Sequence, residues 1–249
     1  MDREDATPPD ASPPAGSERQ IRSVPTRNAF EWYREAMILW RRAPFAFAVF
    51  ALLTLASQLI LELVPMLGIY LAQLVPPLVA CALLYGMLAA DRGESPRMLH
   101  LIAVLGARPG ALLAVIASSV VTFALQALIA QWVAGFDLLR AGNPEPLAPG
   151  DALLVYGVGV VASLPLTFVP FAALFDGATF AAAFRQSFTA FARNVNALLL
   201  YGALSLVLLL FGLVTSGIGL LLALPWWAGS SYAAWKDIFA LDAKPHAGM

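Results

Sequence analysis

Two stripes of polar side chains in an otherwise apolar chain are placed where they could do chemistry inside a membrane. In the first stripe, Thr54, Gln58 and Glu62 recur at four-residue spacing, which places them on one face of a helix. An ionisable side chain in an apolar helix often marks a proton or cation pathway, because a charge there is costly. Glu62 is therefore a candidate proton or cation site. The alternative is that Glu62 lies near the outer surface of the membrane, close to Pro65, and reaches water.

The second stripe, Ser119, Thr122 and Gln126, carries no charge. Its three- and four-residue spacing also predicts a single helix face. Uncharged polar groups in apolar helices commonly form hydrogen bonds to neighbouring helices. Helix packing is therefore one interpretation of this stripe, and a polar pathway for a solute is the other.

Groups for catalysis or metal binding are scarce. A single cysteine, Cys81, excludes an internal disulfide and a cysteine metal cluster. Neither His100 nor His246 has a partner at metal-ligand spacing. The sequence contains no phosphate-binding glycine loop, nucleophile elbow or His-Glu-x-x-His pattern. We therefore expect a protein that is not an enzyme, with no catalytic residue, metal or cofactor.

The elements that must position the two stripes are apolar helices. The chain is 60 % hydrophobic and 12 % charged, with a mean hydropathy of +0.75, whereas soluble proteins are about 25 % charged. An uncharged apolar stretch of about 18 residues or more predicts a membrane-spanning helix. Six such stretches occur, at 44–64, 69–90, 110–132, 152–175, 197–215 and 218–234. The sequence therefore predicts an all-α, polytopic membrane bundle with six transmembrane helices.

A shorter amphipathic segment precedes each pair of spans, at 28–42, 95–106 and 177–193. Large apolar residues at helical spacing alternate with arginines, which is typical of a helix in the membrane interface. In the first and third segments this candidate contact face consists of Phe30, Tyr33, Met37, Trp40, Phe180, Phe184, Phe188 and Phe191. We expect Asn28 to cap the first interfacial helix and Asp176 to cap the third.

One interfacial helix followed by two spans occurs three times, which predicts three pseudo-repeats. Proline occurs in every even-numbered span, as Pro76, Pro77, Pro165, Pro170 and Pro225. Kinked helices around an axis could line a cavity, although proline is also simply frequent in membrane helices. An aspartate follows each even-numbered span, as Asp91, Asp176 and Asp237. Helix capping and ion pairing with Arg92, Arg185 or Lys236 are the two roles we expect for these aspartates.

Lysine and arginine lie almost entirely on one side of the predicted membrane. Fourteen of them occur in the segments that share that side, and only Arg140 lies on the other. The positive-inside rule then places both termini and all three interfacial helices in the cytoplasm. Residues 1–26, rich in proline and polar residues, are expected to be a disordered cytoplasmic tail. Residues 27–240 form the membrane domain, and residues 241–249 form a short cytoplasmic tail.

Several segments resemble a family of uncharacterised proteobacterial inner-membrane proteins. These segments are Phe30-Glu31-Trp32, Arg41-Arg42-Ala43-Pro44, Ala90-Asp91-Arg92-Gly93-Glu94, Phe184-Arg185-Gln186-Ser187-Phe188 and Ala234-Trp235-Lys236-Asp237-Ile238-Phe239. The arrangement is more distantly similar to the membrane domain fused to some glycerophosphodiester phosphodiesterases. The resemblance covers residues 28–240 and implies the fold and an inner-membrane location. It implies no activity and no site residues.

Two function classes follow from the sequence. The first is a non-enzymatic inner-membrane protein that organises lipids or partner proteins through its cytoplasmic interfacial helices. It is favoured because the predicted bilayer core offers so little charge to bind or gate a substrate. The alternative is a small-solute transporter or channel around a pseudo-threefold axis. Membrane lipids are the expected partners, other membrane proteins are a further option, and nucleic acid is not expected.

Overall fold

The computed structural model describes residues 20–64, 67–138 and 149–241. Within these ranges every regular element is helical and no strand occurs, so the all-α prediction is confirmed for the described residues. The α-helices are α1 (Asn28–Arg42), α2 (Pro44–Glu62), α3 (Gly68–Leu71), α4 (Val75–Asp91), α5 (Leu99–Ala103), α6 (Pro109–Ala134), α7 (Pro149–Ser163), α8 (Val169–Leu174), α9 (Phe180–Arg193), α10 (Val195–Val214) and α11 (Leu220–Ile238).

Four helical stretches in the described part of the chain are long and apolar enough to cross a membrane. They are Pro44–Glu62, Pro109–Val133, Leu153–Leu174 and Val195–Val214. The helix α4 is apolar but has only 17 residues, and α11 is not among the four. The chain is therefore a helical membrane protein. The four stretches correspond to the first, third, fourth and fifth predicted spans.

The second predicted span forms two helices, and the longer one begins at its two prolines. The helix α4 begins at Val75 and carries Pro76 and Pro77 at its start, where a missing backbone N–H leaves no hydrogen bond unmade. The chain before it forms the separate short helix α3. Pro225 has a different outcome, because α11 continues through it as one helix.

The fourth predicted span is broken, and a side chain from α9 supports the break. A 3-10 turn at Leu164–Leu166 lies between α7 and α8. The buried Ser187 hydroxyl of α9 donates to the Pro165 carbonyl at 2.7 Å and accepts from the Phe168 N–H at 3.1 Å. Backbone polar groups inside an apolar bundle must find partners. Ser187 therefore makes the interruption of this span tolerable.

The helix α1 packs along α11, and α11 also contacts α2, α4 and α10. The residues of α1 that face the bundle are Ala29, Trp32, Ala36 and Leu39. A glycine allows the close approach, because a Cβ at Gly229 would lie only 2.8 Å from the Cβ of Ala36 and 3.0 Å from its Cα. On the other side of the bundle, α6 packs against α7 and α8.

The main core is rich in aromatic residues and is built mainly from side chains of α1, α2, α4, α8, α10 and α11. The ring of Phe171 stacks on Trp235 with 5.4 Å between centroids, and Trp32 meets the edge of Tyr201 at 6.1 Å. Aromatic pairs of this kind contribute about 0.5–1.5 kcal/mol beyond the area they bury. This core therefore helps to hold α1 against the bundle.

Two predicted helix caps are wrong. Asn28 is the first residue of α1, and its side chain donates to the Asp237 carboxylate at 2.8 Å instead of capping its own helix. The helix α9 is capped by Thr179, whose hydroxyl accepts from the Ala182 N–H at 3.4 Å, so Asp176 lies too early in the chain to cap it. In the first case a partner distant in sequence outcompetes the local backbone for the asparagine side chain.

Candidate functional site

The second polar stripe borders a partly open cavity of about 400 Å³ between the helices. Ser119, Thr122 and Gln126 of α6 all line this space. The remaining walls come from α4, the broken fourth span, α10 and α11. Further polar residues at the cavity, which sequence reasoning did not single out, are Gln73, Ser118, Ser163, Thr167 and Ser231. They lie on several segments, and only folding brings them together.

Two of the prolines also line the cavity. Pro77 lies at the start of α4 and Pro170 at the start of α8, so both helices begin beside the empty space. The sequence left open whether the prolines line a cavity or are merely frequent in membrane helices. Of the described lining residues, only these two are prolines.

Five hydroxyl groups of the cavity wall already donate their protons to the backbone. Each donates to a backbone carbonyl three or four residues earlier in the chain, at distances of 2.7–3.1 Å. The residues concerned are Ser118, Thr122, Ser163, Thr167 and Ser231. A hydroxyl oxygen has two lone pairs, so each of these oxygens keeps the capacity to accept a hydrogen bond.

The side chain of Gln126 in α6 lies against Gly159 in α7, where glycine's lack of a side chain leaves room for it. A Cβ at Gly159 would lie 1.7 Å from Nε2 of Gln126. The side-chain amide of Gln126 has no hydrogen-bond partner among the residues that the structure describes, and it lines the cavity. It therefore offers both a donor and an acceptor to that space.

The first polar stripe does not belong to the cavity. The Thr54 hydroxyl donates to the Phe50 carbonyl at 2.9 Å, and Gln58 donates to the Glu62 carboxylate at 2.9 Å. Glu62 is exposed on the surface of α2, and none of the three residues is among the described residues that line the cavity. The two stripes thus have separate positions, and the structure does not join them into one pathway.

A cluster of charged residues lies where α4 and α11 end. Its members are Glu35, Asp91, Lys236 and Asp237, and we call this end of the bundle the charged end. The Lys236 ammonium lies 2.9 Å from Asp91 and 3.3 Å from Glu35, and its side chain is only 10 % exposed. The Tyr232 hydroxyl donates to the same Asp91 oxygen at 3.0 Å. Asp91 therefore has the ion-pairing role, one of the two roles that the sequence predicts.

Asp237 holds the start of α1. Its carboxylate accepts from the Asn28 amide at 2.8 Å and the Trp32 indole at 2.9 Å, and it pairs with the Arg22 guanidinium. Asn28 and Trp32 lie 209 and 205 positions away in the sequence. No local pattern could have revealed that contact.

Residues 20–24 extend along the charged end as a strap that leads into α1. The Arg22 N–H donates to the Ile238 carbonyl at 2.9 Å. The buried Asn194 side chain accepts from the Val24 N–H at 2.8 Å and donates to the Arg22 carbonyl at 3.0 Å. The strap therefore connects the chain before α1 to α10 and α11. Residues 20–26 were assigned to the tail from sequence, and residues 1–19 lie outside the described residues.

The predicted contact face of α1 is divided between the bundle and the surface. The Tyr33 ring stacks on Tyr201 at 5.7 Å, and its hydroxyl shares a 2.7 Å hydrogen bond with Ser205. Burial raises the pKa of Tyr33 to about 12, so this hydroxyl is neutral at physiological pH. Met37 and Trp40 are half-buried, whereas Phe30 is 56 % exposed.

The helix α9 shows the same division. Its aromatic residues Phe184 and Phe191 pack partly against the bundle, whereas Phe180 and Phe188 are exposed. The short helix α5, in the second amphipathic segment, also carries exposed apolar residues, Leu99 and Ile102. All three amphipathic segments therefore present large apolar side chains at the surface.

Metal-binding groups do not gather anywhere in the described part of the chain: no set of three or more His, Cys, Asp or Glu side chains is placed to hold an ion. Cys81 is buried, and its thiol donates to the Pro77 carbonyl at 3.2 Å. His100 interacts locally with the backbone of Arg97. His246 lies outside the described residues.

No family model, no curated protein and no solved structure matches this chain. The resemblance to proteobacterial inner-membrane proteins therefore stays a prediction from sequence.

Proposed function

We propose that this chain is a multi-pass protein of a bacterial inner membrane, with six spans in three repeats and both termini in the cytoplasm. The distribution of Lys and Arg, fourteen against one, supports the orientation. The segment from α3 through α4, and the helix α11, would supply the second and sixth spans. In this arrangement the charged end faces the cytoplasm, and α1, α5 and α9 are the interfacial helices.

On this basis we propose a non-enzymatic role in which the protein organises lipids, rather than partner proteins, through α1, α5 and α9. One observation carries the proposal: each of these helices exposes large apolar side chains. The exposed residues are Phe30, Ile38, Leu99, Ile102, Phe180 and Phe188. Exposed apolar area in water costs about 25 cal/mol per Å², and insertion into the headgroup boundary of a bilayer removes that cost.

Arginines beside these apolar side chains favour lipids as the occupant. Arg34 and Arg41 of α1 are exposed, as are Arg185 and Arg193 of α9. A basic residue near an anionic bilayer surface contributes about 1 kcal/mol of attraction. An apolar and basic surface therefore suits a membrane that contains anionic lipids.

Lipid retention tests this proposal. Tagged protein is extracted in native lipid particles, and its lipids and proteins are identified by mass spectrometry. We expect anionic lipids to be enriched over the bulk membrane, and the double variant Phe180→Ser with Phe188→Ser to lose most of that enrichment. Ala181→Ser is the matched control, because Ala181 is also exposed on α9. Thermal unfolding shows whether each variant is folded.

Two results would contradict the lipid role. One is equal lipid composition around the wild type, the double variant and the control. The other is a stoichiometric protein that leaves in the double variant while the lipids stay the same, which would make a partner protein the occupant.

The second candidate function is small-solute transport or conduction, and the cavity beside α6 is the observation that favours it. Its uncharged polar lining suits a neutral solute rather than an ion. Flux of neutral solutes into liposomes that contain the purified protein tests this function. Flux that Ser119→Leu abolishes would support transport, and no flux above that of protein-free liposomes would exclude it for the solutes used.

A further inference from the structure

The chemistry of the cavity beside α6 goes beyond the proposed surface role. None of the described residues that line it is charged. Its volume of about 400 Å³ lies within the range of about 300–1,000 Å³ that ligand pockets occupy. A charged ligand would lose its hydration there and meet no opposite charge. The chemistry of the wall therefore selects an uncharged ligand.

One part of the cavity wall accepts hydrogen bonds. The hydroxyls of Thr122, Ser163 and Ser231 already donate to their own backbone, at 3.0, 2.7 and 2.9 Å. Ser118 and Thr167 do the same. What these groups still offer is oxygen lone pairs. A ligand that matches them must bring its own hydrogen-bond donor, such as a hydroxyl group.

The rest of the lining is apolar, with Leu84, Val115, Phe123, Leu224 and Trp227 among its side chains. A sugar or another polyol would leave hydroxyls unpaired against these side chains, which is unfavourable. A plain hydrocarbon would leave the oxygens of the polar wall without donors. A molecule with a hydrocarbon body and a hydroxyl group satisfies both parts of the lining.

We infer that this cavity is a binding site for an uncharged amphiphilic alcohol. The alcohol donates its single hydroxyl proton to one of the serine or threonine oxygens and can accept from the Gln126 amide. Its hydrocarbon part packs against Phe123 and Trp227. The site does not depend on the interfacial helices, so it can fail or hold independently of the lipid role.

Competition between two matched ligands tests the site on the full-length protein. The probe is decanol that carries a photoreactive diazirine in its chain, and the labelled peptides are mapped by mass spectrometry. We expect saturable labelling of the α4, α6 and α8 segments that line the cavity. Unlabelled decanol should compete, whereas decyl methyl ether, which lacks the donor, should compete about 10-fold more weakly.

Variants of α6 locate the binding. Thr122→Val removes one acceptor oxygen at nearly constant volume and should weaken decanol competition about 3-fold. Ser119→Leu fills part of the cavity and should abolish saturable labelling. Val120→Leu is the matched control, because Val120 is 41 % exposed on the same helix and does not line the cavity.

Three results would overturn the inference. The first is labelling that does not saturate and spreads evenly over the lipid-facing helices. The second is competition by the ether as strong as that by the alcohol. The third is equal labelling of Ser119→Leu and Val120→Leu. If a variant does not fold, the comparison of alcohol and ether on the wild-type protein is sufficient to test the inference.

Discussion

At the charged end, Lys236 lies between the carboxylates of Asp91 and Glu35, whereas at the cavity the hydroxyls of Thr122 and Ser163 donate only to their own backbone. Both regions are polar parts of an apolar chain. In the first, charges from three helices satisfy one another. In the second, five hydroxyl donors are satisfied by their own backbone, and their acceptor oxygens are left beside an open space.

The difference follows from what each group loses when it leaves water. A buried charge without a partner is strongly destabilising, so charges bring their helices into one fixed geometry. A hydroxyl can donate to the carbonyl three or four residues earlier, which satisfies its proton locally and leaves its lone pairs for a ligand. The charged end is therefore suited to holding α1 in place, and the cavity is suited to receiving a ligand.

Removal of the central charge should have the largest effect. Lys236→Met leaves two carboxylates facing each other without their cation, and we expect the free energy of unfolding to fall by about 3 kcal/mol. Thermal and chemical unfolding in detergent measure this change. Arg34→Met is the control, because the Arg34 side chain is 75 % exposed, and it should cost less than about 1 kcal/mol. Equal unfolding midpoints for the two variants would mean that the cluster does not hold the helices together.

A methyl group between α1 and α11 should have the next largest effect. In Gly229→Ala the new Cβ would lie 3.0 Å from the backbone Cα of Ala36, so a helix must move. We expect a loss of about 2 kcal/mol, measured by the same unfolding assays. Decanol binding by the folded fraction should stay the same, and a loss of binding without a loss of stability would contradict the separation of the two regions.

The same substitution at the cavity should give the opposite pattern. In Gly159→Ala the new Cβ meets the Gln126 side chain as far back as its Cγ, at 2.8 Å, so the whole side chain must turn away. The better helix propensity of alanine offsets the strain, so stability should change by less than about 1 kcal/mol. Competition by decanol should weaken about 3-fold, because the amide no longer reaches its place. A large loss of stability would show that Gln126 is a packing residue.

The smallest effect is expected on α2. Glu62→Gln removes an exposed charge whose only hydrogen-bond partner among the described residues is the side chain of Gln58. Stability should change by less than about 0.5 kcal/mol, and decanol competition should not change. Liposome flux measured on the same variant is the additional readout. A change in flux with folding intact would support the hypothesis that Glu62 is a proton or cation site.

The first amphipathic segment and four of the six predicted spans were predictable because hydrophobic periodicity is a local property of the chain. The first interfacial helix was predicted at 28–42, and α1 has these bounds. The fifth span was predicted at 197–215, and α10 covers Val195–Val214. Proline marked the interruptions of the second and fourth predicted spans, but not the course of α11, which continues through Pro225.

The face by which α1 meets the bundle was not predictable. The pattern gave weight to the large side chains of Phe30 and Met37, yet the residues in deepest contact include Ala29 and Ala36. Small residues lie there because α11 presents Gly229 at the same place, so two backbones can approach closely. Hydrophobicity alone cannot identify such a contact, since it depends on a residue of another helix.

The sequence by itself therefore determined that this chain is helical and apolar enough for a membrane, and it located most of its helices. These properties depend on the composition and spacing of residues that are neighbours in the chain. Only the tertiary structure decided that the stripe of Ser119, Thr122 and Gln126 borders a cavity while the stripe ending at Glu62 does not. It also decided that Lys236 meets Asp91, 145 positions away. The cavity and this ion pair both depend on which helices pack together, and helix packing depends on contacts between residues that are distant in the sequence.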